Sequence, residues 1–265
     1  MVSLIDIEKP GKSCPHDGGN LIMSNDNWKT PQQAVINATG KAPPNDLESA
    51  IRHTFTPGSY TAIVHGKNNT TGIGLVEAYD LDESIGITLT NVSTRSFVDT
   101  DQNVMIGGFI SGDVIVRVIV RALGPTLSAF GAPNVLADPT LELRDLDGTL
   151  ITSNDNWKDT QQAEIQASGK APPNDNESAI IIVRPAANNT AIVRGKNNTG
   201  NALIDAYILP PCTGTSRSGC FQTDDRNKPA VSDRRHSPWR ARTFVSVCGR
   251  TVRPLFWLRH RGILR

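Results

Sequence analysis

Two copies of an oxygen-rich loop are the residues best suited to chemistry in this sequence. Ser24–Trp28 and Ser153–Trp157 both read Ser-Asn-Asp-Asn-Trp. Carboxylate and amide oxygens are the hard ligands of Ca²⁺, which takes about six to eight of them. A calcium site in the second copy would need four carboxylates to converge at one end of the fold, namely those of Asp145, Asp147, Asp155 and Asp175. Because Asp and Asn also favour turns by bonding their own backbone, ordinary turn chemistry is the preferred interpretation.

Each loop ends in a tryptophan, Trp28 in the first copy and Trp157 in the second. An exposed indole beside Asn156 would make the loop a carbohydrate-binding site, with a sugar ring stacked on the aromatic face. A buried indole would instead anchor the loop, since one such side chain covers a large apolar area. We favour the anchor and keep the carbohydrate site as the alternative.

Residues 91–209 contain neither His nor Cys. They therefore cannot form a Ser-His-Asp triad, a Cys-His pair or a His/Cys zinc site. Glu142 and Asp145 are one acidic pair that glycoside hydrolysis could use, but they fit a strand end and a turn equally well. The sequence predicts a protein that is not an enzyme, with no certain cofactor beyond the calcium hypothesis.

An internal duplication accounts for the two loops. Residues 24–51 and 153–180 share 22 identities in 28 positions, and the similarity continues to Leu81 and Leu209. Nothing in residues 1–16 matches 126–145, so the first copy lacks its front half. We divide the chain as follows: unassigned residues 1–16, a truncated module at 17–81, a connector at 82–90, a complete module at 91–209 and a basic tail at 210–265.

The complete module is predicted to be an all-β, jelly-roll-like antiparallel sandwich, because short β-branched runs alternate with Gly, Pro and Asn. We expect strands at 92–98, 103–110, 114–122, 140–144, 149–152, 178–183, 190–194 and 202–208, and one helix at 161–168. Period-2 alternation places six side chains in the core: Val116, Val118, Leu141, Leu143, Ile192 and Ile204.

The truncated module has only about half of these strands. A sheet without its partners exposes an apolar face and an unpaired edge. We therefore expect 17–81 to be ordered only where it borrows strands from the complete module, from residues 1–16 or from another chain.

Ala137–Asn156, followed by a late strand pair that ends in Tyr207, resembles the bacterial pre-peptidase C-terminal type of β-sandwich. Val120–Leu127 together with the Ser153–Trp157 loop is similar to tandem modules of large secreted or surface proteins of environmental bacteria. The resemblance implies a non-catalytic accessory module outside the cytoplasm. Its implied partners are extracellular polysaccharide or other surface proteins.

The net charge of +1 hides a contrast between the body and the tail. Residues 1–209 hold 15 Lys and Arg against 23 Asp and Glu, whereas residues 210–265 hold 12 against 3. The tail is either a basic arm for nucleic acid or anionic lipid, or sequence read out of frame, and we favour the second. We expect it to be poorly structured, and nucleic acid to bind, if at all, only there. Residues 1–20 do not fit a signal peptide, and no apolar run is long enough to span a membrane.

Overall fold

The computed structural model describes residues 3–9, 20–56, 60–70, 72–81, 91–111, 115–185, 187–210, 241–243 and 255–262. The connector at 82–90 and most of the basic tail lie outside these residues, so the expectations for them are not addressed. Within the described part, strands predominate and the sheets are antiparallel.

Fifteen strands, two short α-helices and two 3-10 helices, at Lys67–Asn69 and Pro125–Phe130, follow one another along the described chain. The truncated half contains β1 (Ser3–Lys9), β2 (Asn20–Asn25), α1 (Gln33–Ala38), β3 (Ala50–Thr54), β4 (Thr61–Gly66) and β5 (Gly74–Asp80). The complete module contains β6 (Asn91–Val98), β7 (Met105–Ser111), β8 (Val116–Leu123), β9 (Pro139–Arg144), β10 (Leu150–Asn154), α2 (Gln162–Ala167), β11 (Ser178–Arg184), β12 (Ala187–Gly195) and β13 (Gly200–Leu209). The tail adds β14 (Ala241–Thr243) and β15 (Leu255–Gly262).

The complete module is a two-sheet sandwich with jelly-roll strand order. One sheet runs β11-β8-β13-β6 and the other β10-β9-β12-β7, with β14 added beside β7. If the eight strands β6 to β13 are renumbered 1 to 8, the two orders become 6-3-8-1 and 5-4-7-2. The chain therefore crosses repeatedly between the two sheets, as in a jelly roll. The predicted all-β sandwich is confirmed.

The core lies between the two sheets, as the alternation of the strands requires. In β9 the side chains of Leu141 and Leu143 are buried, whereas the polar residues that alternate with them are only partly buried. In β8, Val116, Val118 and Val120 face the same core, while Ile119 is buried on the opposite face. Coverage on both faces explains why β8 is almost continuously apolar.

One of the six predicted core residues is on the wrong face. In β12 the buried side chains are Asn189, Ala191 and Val193, and Ile192 is only partly buried. Ile192 pairs with Ile106 on the outer face, where Ile106 is largely exposed. The prediction was wrong because it placed the largest aliphatic side chain inside, whereas the alternation of β12 buries the smaller pair.

The truncated module takes the same two-sheet form with strands from elsewhere in the chain. Its sheets run β2-β1-β4 and β3-β15-β5. As expected, residues 1–16 supply a strand, since β1 pairs with both β2 and β4 and buries Ile5 and Ile7. The contribution of β15 from the tail was not anticipated.

Candidate functional site

The loop between β10 and β11 holds the predicted site and is built around a buried tryptophan. Trp157 is 5% exposed and packs against Ile119 of β8 and Ile165 of α2. Its indole N–H donates a hydrogen bond to the carbonyl of Asn174 at 3.1 Å. This arrangement pins the loop and α2 onto the outer face of the β11-β8-β13-β6 sheet.

Two amide side chains of the loop bond to the open edge of that sheet. Asn154 Oδ1 accepts the backbone N–H of Ala179 at 3.0 Å. Gln161 bonds to Ile181 twice, accepting its N–H at 2.9 Å and donating to its carbonyl at 2.8 Å. Since β11 is an edge strand, these amides stand where a neighbouring strand would pair and keep another chain from pairing there.

The truncated module repeats this arrangement bond for bond. Trp28 is also 5% exposed and donates to the carbonyl of Asn45 at 3.1 Å. Asn25 Oδ1 accepts the N–H of Ala50 at 3.1 Å, and Gln32 bonds both backbone groups of Arg52. The duplicated residues therefore serve the same structural purpose twice.

A fully buried carboxylate braces the other side of the loop. Glu177 Oε1 accepts the backbone N–H groups of Gly124 and Thr126 at 3.0 and 2.9 Å. Its Oε2 accepts the hydroxyl of Thr126 at 2.8 Å. Burial of a carboxylate costs free energy unless it is well bonded, and these bonds fix the start of the 3-10 helix Pro125–Phe130 to the residue before β11.

The strongest electrostatic feature lies between β8 and β13. The Arg121 guanidinium donates to both oxygens of Asp205, at 2.9 and 2.5 Å, and also to the carbonyl of Lys170 at 2.9 Å. The Asp205 side chain is 2% exposed and that of Arg121 12%. Burial raises the pKa of Asp205, and the adjacent guanidinium opposes that rise. Arg121 and Lys170 also lie over the ring of Tyr207, at 5.1 and 4.6 Å from its centre.

The four predicted calcium ligands do not come together. Asp145 Oδ1 accepts the N–H groups of Asp147 and Thr149 and closes a turn. Asp155 is paired with Lys196 at 2.5 Å, and Asp175 with Lys158 at 2.6 Å. Within the described residues, the structure contains no group of three or more His, Cys, Asp or Glu side chains that could hold a metal ion.

Calcium is therefore expected to leave the stability of the protein unchanged. A bound ion would stabilise the folded state by about 2.7 kcal/mol at a hundredfold excess over its dissociation constant. Asp145 Oδ1 closes a turn, and Asp155 Oδ2 and Asp175 Oδ1 each pair with a different lysine, so thermal melting of the full chain should be the same in calcium and in chelator. An upward shift of several degrees in calcium that disappears in Asp155→Ala would contradict this expectation.

The indoles of Trp28 and Trp157 are not available for stacking on a sugar. With 5% of each residue exposed, the aromatic faces are covered by the protein itself. Asn156 immediately precedes Trp157. Its side-chain amide donates to Asp159 Oδ2 at 3.3 Å, and its backbone carbonyl accepts from the Asn154 side-chain amide at 2.9 Å. The carbohydrate hypothesis is thus corrected for the tryptophans, because packing on the sheet uses the faces that a sugar would need.

Comparison with known proteins gives no assignment. No family model matches the chain, and no curated protein matches it. Among solved structures, the VP2 subviral particle of infectious bursal disease virus aligns with a TM-score of 0.19 at 11% identity, covering 98% of this chain and 60% of that one. The Gx strain of the same virus gives a TM-score of 0.18 at 10% identity, with 98% and 63% coverage. The chain thus spans about 60% of the length of these viral chains.

The sequence-based search for a site missed Arg121, Asp205 and Glu177. One signal was present: Arg117 and Arg121 both interrupt the apolar run of β8, and a charge in a central strand needs a partner. The partner could not be named, because Asp205 lies 84 positions further along the chain.

Among the described residues, no helix has the length and apolar character needed to cross a membrane.

Proposed function

We propose that this protein is a non-catalytic structural or adhesive β-sandwich module of a secreted or cell-surface bacterial protein. The observation that carries the proposal is the repeated loop itself. Its Asn, Trp and Gln side chains make matching bonds in both copies, and every such bond goes to the protein's own backbone. Residues kept identical through a duplication are thus used for bracing and edge protection.

The extracellular placement rests on the resemblance of the complete module to tandem modules of secreted and surface proteins. A tandem architecture in which loop amides occupy the β11 and β3 edges suits a spacer or adhesive segment, because an occupied edge does not pair with another chain. The partners proposed for it are extracellular polysaccharide or other surface proteins.

The test is antibody labelling of cells that produce the native protein. We expect antibodies against residues 91–209 to label intact cells as strongly as permeabilised ones, because the module would lie outside the membrane. Labelling that appears only after permeabilisation would contradict the proposed location.

A glycan array with the full chain is the accompanying control. Asn156 is partly exposed in the loop, so Asn156→Ala would weaken binding if the loop recognised a sugar. The proposal predicts no glycan signal that depends on Asn156. A signal lost in Asn156→Ala, with thermal melting unchanged, would support the carbohydrate-binding alternative instead.

A further inference from the structure

In the sheet of the truncated module, the position between β3 and β5 corresponds to the position of β8 in the complete module. We call this position the gap. In the complete module, β8 pairs with β11 on one side and β13 on the other. In the truncated module, β3 and β5 are the repeat counterparts of β11 and β13, and β15 pairs with both. A single central strand in this gap therefore pairs with the facing edges of both β3 and β5.

We infer that this gap is a strand-acceptor site whose ligand is a β8-type strand. By β8-type we mean an apolar run followed by an arginine, with a glycine three residues after the arginine. In this chain the ligand is the tail segment Leu255–Gly262, which enters by β-augmentation, a mode in which the added main chain supplies the hydrogen bonds.

The register of β15 matches that of β8 at every shared position. Arg121 lies opposite Ala179 in β11 and Asp205 in β13. Arg259 lies opposite Ala50 and Glu77, which are the repeat counterparts of those two residues. The same correspondence relates Phe256, Trp257 and Leu258 to Val118, Ile119 and Val120.

The surroundings of the arginine position are also repeated. In the complete module, Lys170 lies over the ring of Tyr207 beside the Arg121–Asp205 pair. In the truncated module, Lys41 lies 4.9 Å from the centre of the Tyr79 ring. Tyr79 donates to Glu77 Oε1 at 3.1 Å, which places a carboxylate at the register position facing Arg259. The register position of Arg259 thus lies opposite an acidic residue, two positions along from a tyrosine, as that of Arg121 does.

The apolar requirement comes from the core of the truncated module. Ile51 of β3 and Ala78 of β5 are buried in it together with Ile5 and Ile7 of β1. Leu258 occupies the register position opposite both Ile51 and Ala78. Without a central strand, the facing edges of β3 and β5 would both be unpaired, a state that favours capture of another strand.

The first experiment places a proline in β15 of the full chain. Proline cannot donate a ladder hydrogen bond, so Leu258→Pro should expel the strand. We expect amide exchange in β3 and β5 to accelerate by about tenfold or more, while β11 and β13 exchange as in the unmodified chain. Val247→Pro, outside both described tail strands, is the matched control and should change neither pair. Unchanged protection of β3 and β5 in Leu258→Pro would overturn the inference.

A charge exchange tests the register without a proline. Residues directly opposite in a ladder interact, and like charges there destabilise the pairing. Arg259→Glu should therefore accelerate exchange in β3 and β5, and adding Glu77→Arg should restore most of the lost protection. Equal protection in Arg259→Glu and the unmodified chain, or no recovery in the double variant, would refute this register.

A peptide experiment tests the ligand class. A synthetic peptide of residues 116–124 added to the Leu258→Pro chain should restore protection of β3 and β5. The same peptide carrying Arg121→Glu should restore markedly less. No protection from either peptide, or equal protection from both, would count against a site specific for β8-type strands.

Discussion

Replacement of Arg121 by methionine is expected to lower the free energy of unfolding of the complete module by about 3–5 kcal/mol. The change leaves Asp205 with 2% of its side chain exposed and without the guanidinium that binds both of its oxygens. Replacing both partners removes the uncompensated charge, so Arg121→Met/Asp205→Leu should recover most of the loss. Urea denaturation of the full chain, with exchange at β11 and β13 as the local readout, measures both.

The destabilisation of Arg121→Met should depend on pH. Burial raises the pKa of Asp205 above its ordinary value of 3.8, and loss of the opposing guanidinium raises it further. A carboxyl group whose pKa is raised by folding contributes most to the free energy of unfolding when it is protonated. That contribution is lost as the pH rises through the folded-state pKa. The penalty should therefore be smaller in acid than at neutral pH. A penalty independent of pH would show that lost packing outweighs the charge.

The matched control is Lys158→Met, which breaks the ion pair with Asp175. Those side chains are 39% and 69% exposed, so water screens the pair and its loss should cost at most about 1 kcal/mol. A cost for Lys158→Met equal to that of Arg121→Met would contradict the assignment of the effect to burial.

Trp157→Ala is the second change with a large expected effect, about 3–5 kcal/mol of lost stability. The indole is enclosed by Ile119, Ile165 and Ile181, and its removal leaves a cavity between α2 and the sheet. The hydrogen bond to Asn174 is lost as well. Trp157→Phe keeps much of the ring and should cost clearly less. Both are measured by denaturation of the full chain and by exchange at β11.

Trp28→Ala is the internal comparison, because Trp28 has the same exposure and the same type of partner in the other module. We expect its loss to accelerate exchange at β3 and to leave β11 unaffected, whereas Trp157→Ala does the reverse. Equal effects of both substitutions on both strands would show that the two modules do not unfold separately.

The strands and their faces were largely readable from the sequence, because the side chains of a strand alternate between two faces. The Thr140–Arg144 run gave β9 and its buried Leu141 and Leu143 directly. The same reasoning erred at Ile192, where the choice between adjacent apolar residues depends on which face meets the opposite sheet. The alternation of apolar and polar residues shows that a strand has two faces. Only the packing of the two sheets determines which face is buried in the core.

The sequence alone determined the duplication, through the identity of residues 24–51 with 153–180. It also determined the all-β class and favoured the anchoring role of the tryptophans, since both rest on residues near one another in the chain. The tertiary structure decided what long-range contacts control. It pairs Arg121 with Asp205 across 84 positions, and it pairs Asp155 and Asp175 with two different lysines. It also sets β15 between β3 and β5, because the strand that completes a sheet can come from a distant part of the chain when its side chains and register fit.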